Sequence, residues 1–401
     1  MTATGPRTAP DVVETVDVVA LGESMVTFLP SRPGRLADVP SFERAIGGAE
    51  SNTACVLAAA GHSARWISAV GRDGFGDHLV RAVGEYGVDV SYVRRDPHRP
   101  TGIYFRTAGD RATDAHEVAY YRAGSAASAM TADDIDLEAV RAGRVLHLSG
   151  ITAALSPGCL DLLRELTARR PGRPLVSFDV NHRPGLWRDS GAHGPEVLLE
   201  LARGADIVFV GEDEAESAWG IKGGPSAIRE ALPEPEVLVV KQGAQGATAF
   251  CRTPAGSRAA GAAPVGAGGA PSGGGTPSAP GCAPHPRPAP VPAPAPGTFV
   301  PALTVDIVAT IGAGDAFAAG FLSATLRALP VRDRLRHGHL TAAAALTVPG
   351  DLAAPPARDL ADRLAALDEA AWGTLRLGPG WTETDTADAG ADRAEEEVRT
   401  P

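Results

Sequence analysis

The stretch TIGAGDAFAAGF, residues 310–321, joins a glycine-rich turn to an apolar segment of helical composition. Gly312 and Gly314 allow the backbone to turn tightly and to approach a ligand closely. The first amides of the helix that follows have no intrahelical partner, and the helix dipole favours an anion beside them. Asp315 stands at this helix start, with no charge directly upstream. The stretch therefore predicts an anion-binding turn with one carboxylate beside it.

Two interpretations of Asp315 fit the stretch alone. An acid at a helix N-terminus stabilises the helix dipole by ~0.5 kcal/mol. The alternative is a general base that accepts a proton from a hydroxyl attacking a phosphoryl group. Two further glycine turns favour the base, since AIGGAESNTA (45–54) offers Asn52 to a polyol and VKQGAQGATAF (240–250) offers Lys241 to a nucleotide. The second turn also fits a simple hairpin, and the absence of GxxxxGK[ST] excludes a P-loop.

Apolar strands alternate with helical segments over about 250 residues upstream of this stretch. Strands are predicted at 16–24, 64–71, 143–150, 174–181, 205–211 and 235–243, and helices at 50–61, 76–87 and 159–170. This alternation predicts a three-layer α/β/α fold with a mostly parallel central sheet. Ligands of such sheets bind beyond the carboxyl ends of the strands. Four polar groups fall there, namely Glu23, Asp179–Arg183, Glu212–Glu214 and Lys241–Gly246.

Other segments depart from the alternation. Residues 101–124 alternate in the β manner around a Gly-Asp turn, which predicts a hairpin within a small lid formed from about 27–45 and 99–125. Residues of about 253–300 are mainly Ala, Pro, Gly and Ser, and we expect a disordered surface insertion because they cannot bury enough apolar surface. A flexible N-terminus (1–15) and an acidic flexible tail (379–401) are expected to flank one folded domain, 16–378.

Composition narrows the function classes. The chain has 401 residues, 44% of them hydrophobic, and a net charge of −11, which argues against binding to nucleic acid. The cysteines are widely spaced, so neither a thiolate zinc site nor a redox motif is expected; they are Cys55, Cys159, Cys251 and Cys282. The sequence shows no signal peptide and no apolar run approaching membrane-spanning length, and we expect a cytoplasmic protein with no membrane partner.

Two separated segments resemble the signatures of the ribokinase-like (PfkB) carbohydrate kinases, namely 47–79 and GAGDAFAAGFL (312–322). Four others are similar to the subgroup of 2-keto-3-deoxygluconate kinases: TGIYFR (101–106), AYYRAGSAASAM (119–130), LHLSGITAALSP (146–157) and DVNHRPGLW (179–187). The resemblance implies a kinase domain over 16–378 with a small β lid. It also implies transfer of the γ-phosphoryl group of ATP, with Mg²⁺, to the terminal hydroxyl of a sugar acid.

The resemblance also implies roles for single residues. Asp315 matches the catalytic base, and the amides of Gly312, Ala313 and Gly314 match an anion hole. The substrate positions are Glu23, Gly47, Gly48, Asn52, Tyr104, Arg106, Arg122 and Arg183. Guanidinium groups among them suit a substrate carboxylate. The nucleotide positions are Lys241, Gly243, Gly246, Gly312, Gly314 and His339, and the acids near Mg²⁺, acting through water, are Glu212 and Glu214.

Simpler interpretations remain for several of these residues. Arg106 also fits a solvated lid face, Tyr104 fits lid packing, and Glu212 with Glu214 fits a solvated helix start. Ala309 replaces an acid that helps the family hold a monovalent cation, which argues against dependence on K⁺; Asp306, three residues earlier, is expected to point elsewhere. The alternatives for function are a kinase for another sugar such as fructose and a non-catalytic sugar-acid sensor. Lid pairing in the family implies a homo-oligomer.

Overall fold

The computed structural model describes residues 13–107, 117–187, 194–252 and 296–383. Within them the strands are β1 (Val16–Leu21), β2 (Met25–Pro30), β3 (Phe42–Gly47), β4 (Ala64–Gly71), β5 (Val93–Asp96), β6 (Ile103–Arg106), β7 (Val118–Tyr121), β8 (Gly143–Ser149), β9 (Leu175–Asp179), β10 (Ile207–Gly211), β11 (Val237–Lys241), β12 (Gly246–Cys251), β13 (Thr298–Pro301), β14 (Thr304–Val305) and β15 (Arg376–Leu377).

The helices in the same part of the chain lie between these strands. They are α1 (Ala49–Ala59), α2 (Gly74–Glu85), α3 (Leu137–Arg141), α4 (Gly150–Ala153), α5 (Pro157–Thr167), α6 (Pro184–Trp187), α7 (Glu196–Gly204), α8 (Glu212–Trp219), α9 (Gly224–Ala231), α10 (Ala313–Leu326), α11 (Val331–Leu346), α12 (Arg358–Ala365) and α13 (Glu369–Thr374). Among the described residues, none of these helices combines the length and the apolar character needed to cross a bilayer.

Nine strands form the central sheet in the order β13-β12-β11-β10-β9-β8-β1-β4-β5. The strands from β11 to β5 pair in parallel, whereas β12 and β13 are antiparallel additions at one edge. Side chains of β10 alternate between two hydrophobic cores, with Val208 and Val210 in one and Ile207 and Phe209 in the other. Helices α5 and α7 cover the first core, and α10, α11 and α12 cover the second. The predicted three-layer α/β/α fold is confirmed.

A second sheet of four strands, in the order β3-β2-β6-β7, lies at the carboxyl end of β1. The predicted hairpin is present as the antiparallel pair β6 and β7, although its turn at 108–116 lies outside the described residues. Phe28 stacks on Phe105 with ring centroids 4.6 Å apart, and Phe42 meets Phe105 edge-on at 5.2 Å. Tyr120 and Tyr121 on the edge strand β7 are exposed.

Two described features lie inside segments that the sequence predicts to be a disordered insertion and a flexible tail. β13 lies at the end of the predicted insertion of about 253–300 and pairs with β12, while residues 253–295 lie outside the described residues. The short apolar run of β13 was obscured by the Pro- and Ala-rich composition before it. Trp381, within the predicted tail, is buried in the core. Residues 1–12 and 384–401 lie outside the described residues.

The packing of α10 on the sheet can be tested by substitution of Phe321. The side chain is fully buried and meets Phe209 edge-on, with ring centroids 5.4 Å apart. We expect Phe321→Ala to lower the free energy of unfolding by about 3–5 kcal/mol, measured by denaturant titration. Phe299→Ala is the matched control, because Phe299 on β13 is half exposed. That control should cost less than about 1 kcal/mol. Equal losses in the two variants would contradict this packing.

Candidate active site

Two glycine turns bring Asp315 and Asn52 together. α1 begins directly after Gly48 and α10 directly after Gly312. Gly48 lies against the backbone of Glu23, just beyond β1, and Gly314 lies near Lys241 at the end of β11. The Nδ2 of Asn52 donates a hydrogen bond of 2.9 Å to the Oδ2 of Asp315, although 263 residues separate them in the chain. Asn52 is buried, and its Oδ1 has no hydrogen-bond partner among the described residues. That oxygen therefore keeps an unused capacity to accept a hydrogen bond.

The backbone at the turn leaves no room for a side chain at Gly312. Its φ of 80° lies in the left-handed region, and a Cβ there would overlap the carbonyl oxygen of Asp351. Gly47 is similarly restricted, because a Cβ would overlap the Oη of Tyr104. Gly314 differs, since a Cβ there would meet only the Nζ of Lys241, at 3.7 Å. Gly312 and Gly47 are therefore required by close packing around the site.

The carboxylate of Asp315 is suited to accept a proton near neutral pH. Burial raises the pKa of Asp315 from its ordinary 3.8 to about 7. The hydrogen bond from Asn52 opposes this rise, the charge of Asp179 adds to it, and the charges of Arg183 and Lys241 oppose it. A general base works best when its pKa lies near the operating pH. The arrangement thus favours the base over the helix-dipole interpretation of this acid.

Lys241 meets a carboxylate that was not among the predicted site residues. Its Nζ donates hydrogen bonds of 3.1 and 3.0 Å to the two oxygens of Asp179 at the end of β9. Burial opposes the charge of this ammonium, but Asp179, followed by Glu214, raises the pKa of Lys241. From the sequence alone, Asp179 is only the first residue of the polar group Asp179–Arg183. The pair forms across the intervening strand β10, and no sequence spacing indicates it.

Asp351 is a second residue near the site that is not among the predicted site residues. Its carboxylate accepts a hydrogen bond of 2.6 Å from the Oη of Tyr104 and lies 2.9 Å from the guanidinium of Arg106. Arg106 is only 7% exposed, so it does not lie on a solvated lid face. Asp351 stands in a Pro-Gly loop after α11, where periodicity gives no signal. The cluster joins the second sheet to the turn at Gly312.

The other predicted substrate residues lie in two places. Glu23 is buried and accepts hydrogen bonds from Arg122 and from the Oγ of Ser125. Arg183 is different, because its side chain is 54% exposed and lies 4.0 Å from Glu214. The charge of Arg183 acts on Asp315, so Arg183 lies near it, whereas the guanidinium of Arg122 pairs with Glu23.

The predicted nucleotide residues form a hairpin turn and a buried contact. Gly243 and Gly246 both have positive φ in the turn that joins β11 to β12, as the simpler hairpin interpretation also required. His339 is buried, with its Nε2 3.2 Å from the carbonyl oxygen of Val300 and its ring edge-on to Phe317. Burial lowers the pKa of His339 to about 4. This histidine is neutral and packs against the core beside β13.

The two predicted magnesium acids lie at the start of α8. Glu214 accepts a hydrogen bond of 2.7 Å from the amide of Gly211, and Glu212 accepts one of 3.3 Å from Gln242. Carboxylate oxygens suit Mg²⁺, which keeps several waters and substrate phosphates as ligands. In the described part of the chain, no group of three or more His, Cys, Asp or Glu side chains could hold a metal by itself. These residues fit a water-mediated site completed by phosphate oxygens.

A cavity of about 380 Å³ lies elsewhere, between α1, α10, α11 and α12. Its polar lining is bound within the protein, since Ser323 meets His62, Arg327 and His337 meet Asp362, and Arg358 meets a backbone carbonyl. The cavity lining does not include Asn52, Asp315 or the glycines of the two turns, so the cavity is not part of the candidate active site.

A family model for "pfkB family carbohydrate kinase" matches residues 16–265 and 296–358. The 2-dehydro-3-deoxygluconokinase of Bacillus subtilis is 32% identical over 349 residues, 86% of this chain and 94% of that protein. Fructokinase-1 of Zea mays is 32% identical over 238 residues, 59% and 73% of the two chains. The crystal structure of a PfkB protein from Polaromonas sp. JS666 has a TM-score of 0.66 at 29% identity and covers 84% of this chain and 98% of that one.

The fold, the two glycine turns and these matches define a sugar phosphotransferase. The chain belongs to the pfkB family of carbohydrate kinases. Both a sugar-acid kinase and a fructokinase are among its relatives, so family membership alone leaves the substrate open.

Gly312 and Gly314 give a matched pair of variants for the turn. Gly312→Ala should lower the free energy of unfolding by at least about 1–2 kcal/mol, because alanine is strained at positive φ and its Cβ overlaps Asp351. Gly314→Ala should change it by less than about 0.5 kcal/mol, since its Cβ has room. Denaturant titration of both variants measures the difference. A neutral Gly312→Ala would refute the close packing described here.

Proposed function

We propose that this kinase transfers the γ-phosphoryl group of ATP to the terminal hydroxyl of 2-keto-3-deoxygluconate, which is also called 2-dehydro-3-deoxygluconate. The observation that carries the proposal is the Asp315 carboxylate at the start of α10, hydrogen-bonded to Asn52 and with a pKa of about 7. The relative from Bacillus subtilis, which matches over 86% of the chain, supports the choice of substrate.

The mechanism is direct in-line transfer. Asn52 orients the sugar beside Asp315, which removes the proton from the hydroxyl on C6. That oxygen forms a bond to the γ-phosphorus while the bond from phosphorus to the β–γ bridging oxygen breaks, and ADP leaves. The free amides at Gly312, Ala313 and Gly314 donate to the charge that builds on the transferred group. A non-catalytic sensor would not require a base at this point.

Glu212 and Glu214 would hold Mg²⁺ through water, and the ion would supply charge neutralisation on the phosphates. The second sheet acts as a lid that excludes water from the reaction and so limits hydrolysis of ATP. The exposed Tyr120 and Tyr121 on its edge strand support pairing of lids in a homo-oligomer.

Recognition of the substrate carboxylate rests on guanidinium groups. Arg183 is half exposed near Asp315, and Arg106 lies beside the Gly312 turn through Asp351. Bidentate pairing would orient a sugar acid with its far hydroxyl toward the base. Fructose is the second candidate, because Asp351 already balances the charge of Arg106 and a fructokinase is among the relatives.

Asp315→Asn should lower kcat by at least ~10²-fold while the fold stays intact, because the amide cannot accept the proton. Release of ADP with 2-keto-3-deoxygluconate measures the rate, and circular dichroism monitors the fold. Asp306→Asn is the matched control, since the side chain of Asp306 is 63% exposed and 3.8 Å from Arg376. The control should keep wild-type activity with and without K⁺. Full activity of Asp315→Asn would refute the proposed base.

Substrate choice is tested by comparing two sugars in the same assay. The wild type should have a higher kcat/KM for 2-keto-3-deoxygluconate than for fructose. Arg106→Gln should raise the KM for the sugar acid at least ~10-fold, equivalent to about 1.4 kcal/mol, and leave the KM for ATP unchanged. The KM for fructose should change much less, because fructose brings no carboxylate.

The variant Arg106→Gln leaves Asp351 buried without its ion pair, which destabilises the fold. The double variant Arg106→Gln with Asp351→Asn removes both charges and separates recognition from folding. An equal rise in KM for both sugars in the double variant would contradict carboxylate recognition by Arg106. An effect confined to the KM for ATP would contradict its assignment to the sugar.

A further inference from the structure

The ends of β9 and β11 are joined by an ion pair that passes over the end of β10. The Nζ of Lys241 lies 3.1 and 3.0 Å from the two oxygens of Asp179, so the ammonium is shared between them. The side chain of Asp179 is 3% exposed and that of Lys241 is 21% exposed. Removing either partner would leave a charge in a site largely without water. The pair therefore fixes where the ammonium lies.

The ammonium lies beside the turn that begins α10. A Cβ at Gly314 would be 3.7 Å from the Nζ of Lys241, which places the ammonium beside the second glycine of the turn. Lys241 is thus held at the amides that, in the proposed function, receive the transferred phosphoryl group. A lysine without a fixed partner has several rotatable bonds and would spend much of its time elsewhere.

The loop after β9 helps to hold Asp179. The amide of Asn181 donates a hydrogen bond of 3.2 Å to its Oδ1, and Asn181 has a positive φ of 40°. The carboxylate is thus bound from its own loop and from β11. Its orientation is set before any ligand binds.

Charged and hydrogen-bonding side chains from several elements act on Asp315. Asn52 donates from α1, Asp179 faces it from the end of β9, Arg183 from the loop that follows and Lys241 from β11. Glu214, on α8, acts on Lys241. Asp179 favours the protonated form of Asp315, whereas Lys241 and Arg183 favour the ionised form. The balance between Asp179 and Lys241 therefore helps to set the pH range in which Asp315 is a base.

We propose that Asp179 is a positioning residue for phosphoryl transfer: it holds the ammonium of Lys241 at the Gly312–Gly314 turn and balances the charge that Asp315 meets. The proposal rests on the proposed function, in which Asp315 is the base. In this role Asp179 acts through Lys241 and through its own charge. Its loss is expected to move the ionisation of Asp315 as well as the rate.

The test uses two variants of the full chain and two readouts. Asp179→Asn removes one negative charge and keeps the shape, and Asp179→Asn with Lys241→Gln removes both members of the pair. The first readout is kcat/KM against pH at saturating Mg·ATP. The second is the carboxyl ¹³C shift of Asp315 in aspartate-labelled protein without nucleotide, assigned by its loss in Asp315→Asn. Circular dichroism checks that each variant is folded.

In the wild type, the carboxyl is protonated below its folded pKa of about 7, so kcat/KM should rise with pH through that value. Asp179→Asn should move both the acid limb and the ¹³C midpoint to lower pH by at least about half a unit, because a charge that disfavours ionisation is gone. The double variant should return both midpoints toward the wild-type value, since the opposing charge is gone too. Its kcat should stay low, because no ammonium reaches the turn.

A lower rate in Asp179→Asn with unmoved midpoints would overturn the proposal and leave Asp179 a structural residue only. An upward shift would overturn it as well. The ¹³C titration needs no sugar, so it separates this inference from the proposed function. If the enzyme releases no ADP with any sugar but the ¹³C midpoints move as expected, the proposed function fails. The charge balance at Asp315 then still stands.

Discussion

The hydrogen bond from Asn52 to Asp315 is the contact on which the site depends. It joins the starts of α1 and α10, two helices that come from opposite ends of the chain. A carboxylate withdrawn from water loses hydration, and one amide donor restores only part of it. The pKa of Asp315 rises to about 7 for that reason, and burial outweighs the hydrogen bond. A better-satisfied carboxylate would be a weaker base at neutral pH.

The sequence predicted the parts of the molecule that follow local rules. Parallel strands buried on both faces are continuous apolar runs, and β4 at Ala64–Gly71 matches its prediction at both ends. The glycines before α1 and α10 follow from backbone geometry, so both turns were predictable. The partners of the charged residues were not. Asp351 contacts Tyr104 although 247 residues separate them, and Asp179 contacts Lys241 over a separation of 62 residues. No local sequence pattern indicates contacts between residues so far apart in the chain.

Three predicted cationic residues share a property that the sequence did not reveal. Arg106, Arg122 and Lys241 each meet a buried carboxylate, and these partners are Asp351, Glu23 and Asp179. A cluster of unpaired cations in a site with little water would be costly, whereas a paired cation is held in place. An anionic ligand must then share the cation with its carboxylate or replace that carboxylate. In the proposed function, selectivity for a sugar acid would thus depend on the partner carboxylate as much as on the cation.

The same pairs connect the second sheet to the rest of the domain. Glu23 follows β1 and binds Arg122 just after β7, while Asp351 follows α11 and binds Tyr104 on β6. Separating the sheet from the central domain would leave these buried ions without partners, which costs far more than exposing a small apolar contact. If Arg106 pairs with the substrate carboxylate, as in the proposed function, binding would weaken one of these connections. In the proposed function, the position of the second sheet and the occupancy of the sugar site would therefore be linked through Asp351.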